Sequence, residues 1–428
     1  MWRCGSRGCF DMRSHINKFL LILAVSWLFR LLYLAMFHDR YSYDLVTWAW
    51  VGGVMMNGEN PYHSALLDWP PLWMQLIYVF EKISRFTGWP FRDVIRGFLI
   101  LTESALAGLL YAALVRFTKA RDPVKLLIVG LAINPIAILQ VCQHGNFDVL
   151  VGFWVLLAVF MLLQFQEQPE ARFWLCACLA VGMGALTKTV PLCLAPLLLL
   201  SARKLRWLEL FLGAVLLLGP VLLGMSIIYV LTPEDVTTKV LEYRSQGGHF
   251  GFTGLFGIFG AQRLADLWPR IFEMVYGVGW LALGAWLWRR ETLGKLEIVS
   301  LAGGLLLGIC ALGPGYGLQY IYWFMPLFLL QYELAERRGR IFLGALYVVA
   351  TVTYLILYAM NTVAYGAFLL DLTRNETLVR LGDEISTPAV ETLICLPLWI
   401  LYCWYVAEVA RQTGRAMRRD FKAWRRSA

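Results

Sequence analysis

The chain has 428 residues, 59% of them hydrophobic and 16% charged, with a mean hydropathy of +0.61 and a formal net charge of +9. Soluble domains run at about 45–50% apolar and about 25% charged, so this composition excludes an ordinary soluble globular protein. The basic excess is not a nucleic-acid footprint either: Lys and Arg fall in short clusters between apolar runs and in the C-terminal segment RQTGRAMRRDFKAWRRSA, the pattern of cytoplasmic loops.

The first apolar run, from about Lys18 to Phe37, is of full spanning length and lacks a small-residue cleavage site. It predicts a span at 17–37 rather than a cleaved signal peptide, and Met12 offers an alternative start. A long loop, 38–94, follows. Its apolar stretch LVTWAWVGGVMM is too short to span and rich in Trp and Met, so it reads as an interfacial helix. A second such helix is expected from Pro70 through LWMQLIYVFEKI. Further spans are expected at 95–116, 125–141, 148–165, 172–187, 189–201, 207–231, 270–288, 297–313, 318–333, 341–360 and 388–410. The pair around Thr187 is short and interrupted.

Twelve spans with both termini inside put Arg116/Lys119/Arg121/Lys125, Arg203/Lys204/Arg206, Arg289/Arg290/Lys295 and Arg337/Arg338/Arg340 on the cytoplasmic side. The segment QEQPEAR at 166–172 runs against this pattern, since it carries two Glu. The opposite face receives the long loops 38–94, 232–269 and 361–387. The expected fold is all-α and polytopic, one transmembrane domain with a module at 17–201 holding the first loop and more variable helices at 202–428. The nine Cys lie mostly inside apolar runs without metal-ligand spacing and read as small core residues.

Ionisable residues inside or next to spans are costly and mark functional candidates. Asp44 follows the first span among Tyr41, Tyr43, Trp48 and Trp50. Arg96 and Glu103 are seven residues apart, on roughly one helix face, and either hold a site wall together or serve structure alone. His144 and Asp148 open the fourth span, where a packing role for His144 is equally open. Lys188 interrupts an apolar run and either binds an anion or snorkels. Arg244 and His249 lie in the second long loop. Asp68 precedes Pro70 and suits a helix N-terminus.

These residues also carry a resemblance. The first loop reads Asp44-Leu-Val-Thr-Trp-Ala-Trp, then Asn57-Gly58-Glu59-Asn60-Pro61-Tyr62, then Asp68-Trp69-Pro70-Pro71-Leu72. It resembles the first lumenal loop of GT-C glycosyltransferases that use polyprenyl-phosphate sugars. The Asp44-to-Gly58 spacing and the GxNPY ending are similar to the catalytic subunit of the first GPI mannosyltransferase, and DWPPL to the DYPPL of dolichyl-phosphate-glucose glucosyltransferases. Arg96 with Glu103, Asn134-Pro135 followed by His144-Gly145-Asn146-Phe147-Asp148, Lys188 with Pro196, and Gln319 with Pro326 match further motifs of that group in order. There are departures: Ser42 stands where the GPI enzyme has the first acid of its DxD, and Gln319-Tyr320-Ile321 replaces an HEK triplet. GLQYIYWFMP looks like the generic bacterial members of the superfamily.

The resemblance implies transfer of one hexose, of mannose or glucose type, from a polyprenyl-phosphate donor to a lipid-linked glycan, glycolipid or polysaccharide on the non-cytoplasmic face. Asp44 would be the base of an inverting displacement. Arg244, Lys188 and Arg96, with His144, Asp148, His249 and Gln319, would bind donor phosphate or substrate, and Asp68 and Glu103 would support the site. No metal and no cofactor beyond the lipid-linked sugar is expected, and the partners are membrane lipids, donor and acceptor. The bacterial likeness points to the inner (plasma) membrane ahead of the endoplasmic reticulum. A polytopic transporter, or a glycan polymerase or ligase, is the alternative.

Overall fold

The structure, a computed structural model, describes residues 12–38, 42–63, 67, 69–120, 122–231, 240, 250–364 and 387–427. Regular structure among them is helical. The first long helix, α1 (Met12–Phe37), is followed by the loop helices α2 (Tyr43–Met56) and α3 (Pro71–Thr87) and by α4 (Phe91–Phe117). Ser42 caps α2, its hydroxyl accepting from Leu45 N–H at 3.4 Å, and Asp44 occupies the first turn, where a carboxylate suits the helix N-terminus. Proline at the start sets α3, and Gly88 at φ 74° ends it with a left-handed cap. Both interfacial helices of the first loop are therefore present as helices.

Two expected spans take a different form. The run at 125–141 is a bent pair. α5 (Pro123–Leu127) continues as a π turn, Ile128–Ala132, and α6 (Pro135–Leu139) continues as a second, Gln140–His144; the halves meet at 50°. Pro135 cannot donate a helix hydrogen bond, and the Asn134 side chain caps the new start from 2.8 Å. The expected span at 189–201 is no continuous helix. Pro191 and Pro196 divide it into a 3-10 turn, Val190–Leu194, and the short α9 (Ala195–Leu198).

Between and beyond these lie α7 (Asp148–Glu167), α8 (Ala171–Thr187), α10 (Trp207–Leu231), α11 (Gly251–Ile258), α12 (Gln262–Trp288), α13 (Lys295–Leu312), α14 (Ile321–Leu334), α15 (Arg337–Ala364) and α16 (Pro388–Ser427). Among the described residues eight helices are long and apolar enough to cross a membrane, or nine with the bent pair, by length and composition. The expected count of twelve included 189–201, the 17-residue α8 and the 14-residue α14, which are shorter.

α4, α7, α8, α13 and α14 form the packed centre. Two-thirds of the apolar stretch of α7 is buried (67%), against 11% for α10, whose surface is largely left open by the rest of the bundle. Close approach depends on small residues. A Cβ on Gly182 of α8 would stand 2.5 Å from the Leu216 carbonyl oxygen of α10. The basic ends gather at one pole. Glu167, the acid that ran against the charge pattern, pairs with Arg116 at 2.8 Å and Lys295 at 2.5 Å, joining the ends of α4, α7 and α13.

Candidate active site

The opposite pole carries the first loop. Trp48 of α2 is fully buried and meets Trp69, Trp73 of α3 and Phe147 edge-on, with ring centroids 4.6, 5.7 and 5.9 Å away. Such a cluster fixes α2 and α3 against the bundle at low entropic cost, because each ring has only two soft torsions. The packing thus makes these aromatics anchors of the loop.

On this base Asp44 meets the segment between α6 and α7. His144 Nε2 lies 3.0 Å from Asp44 Oδ2, and Asn146 Nδ2 donates to the same oxygen at 2.7 Å. Ser42 Oγ donates to the His144 carbonyl at 2.6 Å. Gly145 makes this approach possible: its φ is 65°, and a Cβ there would lie 2.4 Å from Leu45 Cδ2. Burial pushes the Asp44 carboxyl up in pKa. The adjacent His144 ring, the hydrogen bonds from His144 and Asn146, and the Lys188 charge outweigh it and hold the carboxyl below its usual value. Its second oxygen, Oδ1, accepts no hydrogen bond from the described residues, and 24% of the side chain stays exposed. His144 Nδ1 is buried and likewise has no partner among them.

The same segment reaches a second charged group. Asn146 Oδ1 accepts from the Asp148 N–H at 3.0 Å, capping α7. Asp148, fully buried, accepts on Oδ1 from Lys188 Nζ at 2.9 Å and from Trp323 Nε1 at 2.6 Å. The Lys188 ammonium lies 4.6, 4.8 and 5.3 Å from the ring centres of Tyr320, Trp323 and Phe147, within cation–π range of all three. Lys188 also forms the charged end of a cavity of about 440 Å³. Trp69, Tyr320 and Trp323 line that end, and Phe272, Glu273, Tyr276 and Trp280 of α12 line the remainder, which is mostly apolar. Asp44 is outside the cavity and is linked to its charged end through Asn146 and Asp148.

The structure thus joins Asp44, His144, Asp148 and Lys188 in one hydrogen-bonded chain. Arg96 and Glu103 do not pair. Arg96 donates to the His38 carbonyl at 2.9 Å and lies 3.4 Å from Asp93. Glu103 pairs with Arg30 of α1, at 2.5 and 2.8 Å, and accepts from Tyr322 OH at 2.5 Å. Gln319 folds back against Gly317, and its neighbour Tyr320 covers Lys188 instead. Asp68, Arg244 and His249 lie outside the described residues, though the N-cap of α3 is Pro70 with no side-chain hydrogen bond. Sequence reasoning missed Arg30, Asn146, Tyr322 and Trp323. A lone arginine in an apolar run is a signal by itself, and Arg30 carried it.

The model of Glycosyltransferase family 87 matches residues 69–312, more than half of the chain. The chain belongs to glycosyltransferase family 87. It is a glycosyltransferase, which sets aside the transporter alternative. The match includes His144, Asp148 and Lys188 and begins after Asp44. No curated protein matches the chain. Among solved structures, ArnT from Cupriavidus metallidurans bound to undecaprenyl phosphate aligns over 92% of this chain and 77% of its own, at 16% identity and a TM-score of 0.53. That likeness supports the GT-C membrane fold expected from the first loop.

Proposed function

We propose that this glycosyltransferase moves a single hexose, of mannose or glucose type, from a polyprenyl-phosphate donor to a lipid-linked glycan, glycolipid or polysaccharide, with Asp44 as the base. The observation that carries the proposal is the division of the Asp44 carboxylate: Oδ2 is held by His144 and Asn146, while Oδ1 accepts no hydrogen bond from the described residues. A base must be ionised and oriented before the acceptor arrives, and these contacts do both. In the reaction the acceptor hydroxyl attacks the anomeric carbon, its proton passes to Asp44 Oδ1, and the sugar–phosphate C–O bond breaks with its electron pair leaving on the lipid phosphate. One displacement inverts the anomeric carbon.

The leaving phosphate needs a cation, and Lys188 takes that role. It stands at one end of a cavity whose walls are mostly apolar, with Glu273 the other charged residue among the described lining, and a cation beside apolar walls suits a phosphate with a hydrocarbon chain. ArnT, which shares the fold, binds undecaprenyl phosphate. The basic clusters at the opposite pole support a reading with the site on the non-cytoplasmic face.

The test is incubation of the purified enzyme with a panel of polyprenyl-phosphate hexoses and lipid-linked acceptors, with products read by mass spectrometry. The expected product carries one added hexose of inverted configuration and is missing with Asp44→Asn. Consumption of a diphosphate-linked glycan, with no use of any monosaccharide donor, overturns the reading in favour of a polymerase or ligase.

A further inference from the structure

The far end of α16 is built for something other than the reaction. The helix has 40 residues, about twice what a span requires. Its depth is fixed by Asp420, whose Oδ2 accepts from Trp286 Nε1 at 2.8 Å and lies 2.7 Å from Arg290 Nε. Trp286 lies in the last turn of α12 and Arg290 follows that helix, so Asp420 sits where α12 reaches the edge of the apolar layer.

Around that anchor the helix faces divide. Ala416 is buried and Asp420 is turned to Arg290. Phe421 and Trp424 flank this side, 53% and 58% exposed, with ring centres 5.9 Å apart. Arg415, Arg418, Lys422 and Arg425 recur at three- and four-residue steps, so they form one stripe pointing away from the bundle, and all four are exposed. Among the described residues no acid shares this stripe uncommitted. Asp420 is taken by Arg290, and Glu408 is held by Arg411 at 2.5 and 2.8 Å and by Gln412 at 2.7 Å.

A charge bias that sets topology needs only a count of basic residues at one end. It does not need those residues sorted onto one helix face beside a strip of exposed aromatics. That sorting is the signature of a helix that works at a lipid headgroup layer. We propose that residues 415–425 form a docking face for anionic phospholipid headgroups of the adjacent leaflet. The basic stripe meets the phosphates, and Phe421 and Trp424 enter the headgroup–acyl boundary. The charge of the stripe, its depth and its aromatic flank all fit that one occupant. The inference is independent of the transferase reading.

The experiment is amide hydrogen–deuterium exchange of the segment 415–427 in the full-length protein, reconstituted in nanodiscs of phosphatidylcholine alone or with phosphatidylglycerol. Anionic lipid is expected to slow exchange on the order of tenfold, since each basic residue at a charged surface changes the equilibrium about fivefold. Salt at about 1 M, where the Debye length is about 3 Å, should abolish most of the difference. The variant Arg415→Gln/Arg418→Gln/Lys422→Gln/Arg425→Gln should lose it, whereas Arg411→Gln should keep it. Equal exchange in the two lipids overturns the proposal, whether the segment is protected in both or in neither. A lipid-dependent difference that survives the fourfold variant also overturns it. Protection that appears only with an added anionic protein or nucleic acid assigns the stripe to a different partner.

Discussion

Two charged pairs are buried within the same bundle, and they are finished differently. In the Arg30–Glu103 pair every carboxylate oxygen is occupied: Arg30 Nε takes Oε2, and Arg30 Nη2 and Tyr322 OH take Oε1. The remaining guanidinium protons reach the carbonyls of Ser26, Leu131 and Ala132. In the Lys188–Asp148 pair, Asp148 Oδ2 has no partner among the described residues, and the Lys188 ammonium faces a cavity through three aromatic rings. A buried pair with all its hydrogen bonds made can only hold helices together. One left partly unsatisfied and next to a cavity is ready to exchange its counter-ion for a ligand. The first pair locks α1, α4 and α14; the second belongs to the candidate site.

This contrast can be broken at several points. Asp44→Asn should lower turnover by roughly 10²–10⁴-fold, the usual contribution of a positioned base, with thermal stability and donor binding unchanged. Lys188→Met should lower it by about 10²–10³-fold, as for removal of one group that stabilises developing negative charge, and should weaken donor saturation as well. If Lys188→Met instead lost stability and kept its activity per folded molecule, both pairs would be structural. Arg30→Met is expected to do just that: leaving Glu103 buried without its partner costs about 3–5 kcal/mol, measured as thermal or denaturant unfolding, while the folded fraction still turns over. Removing both partners in Arg30→Met/Glu103→Leu should recover most of the loss, less the about 1–3 kcal/mol of a Tyr322 hydroxyl left without an acceptor.

The smallest effect is on pH dependence. Asn146 helps hold the Asp44 carboxyl below its usual value, so Asn146→Ala should raise it. The base would then be protonated at a higher pH, and the acid limb of the kcat–pH profile would move toward neutrality. An unmoved limb with a lowered kcat would make Asn146 a cap for α7 and nothing more.

The membrane class, most helices and four members of the candidate site were legible in the sequence, for physical reasons that differ. Long apolar runs identify helices because lipid leaves the backbone no other partner. Asp44, His144, Asp148 and Lys188 stood out because charge beside apolar sequence is expensive. What did not show is which charges meet. Arg96 and Glu103 share a helix face and still find separate partners, because Arg30 approaches Glu103 from α1, 73 positions away in the chain. Spacing within one helix says nothing of what the next helix brings. The same limit hid Asn146, whose amide matters only because Gly145 turns it toward Asp44. The expected span at 189–201 is absent for a local reason: the stretch is apolar, but Pro191 and Pro196, each the second residue of its turn, decide the backbone.

The bent pair carries one further consequence. Each π turn, Ile128–Ala132 and Gln140–His144, accommodates its stretch of chain with one residue more than an α turn would use. The second ends on His144 itself. Winding the same residues as an ordinary α turn, with none removed, would rotate everything downstream by about 100°, the angle between successive residues. His144 and Asn146 would then swing off Asp44 while every side chain of the site was still encoded. The register of the candidate site is in that sense written in the winding of the π turn rather than in any one residue, and a chain with the same motif wound as an unbroken α-helix would present it to the wrong side.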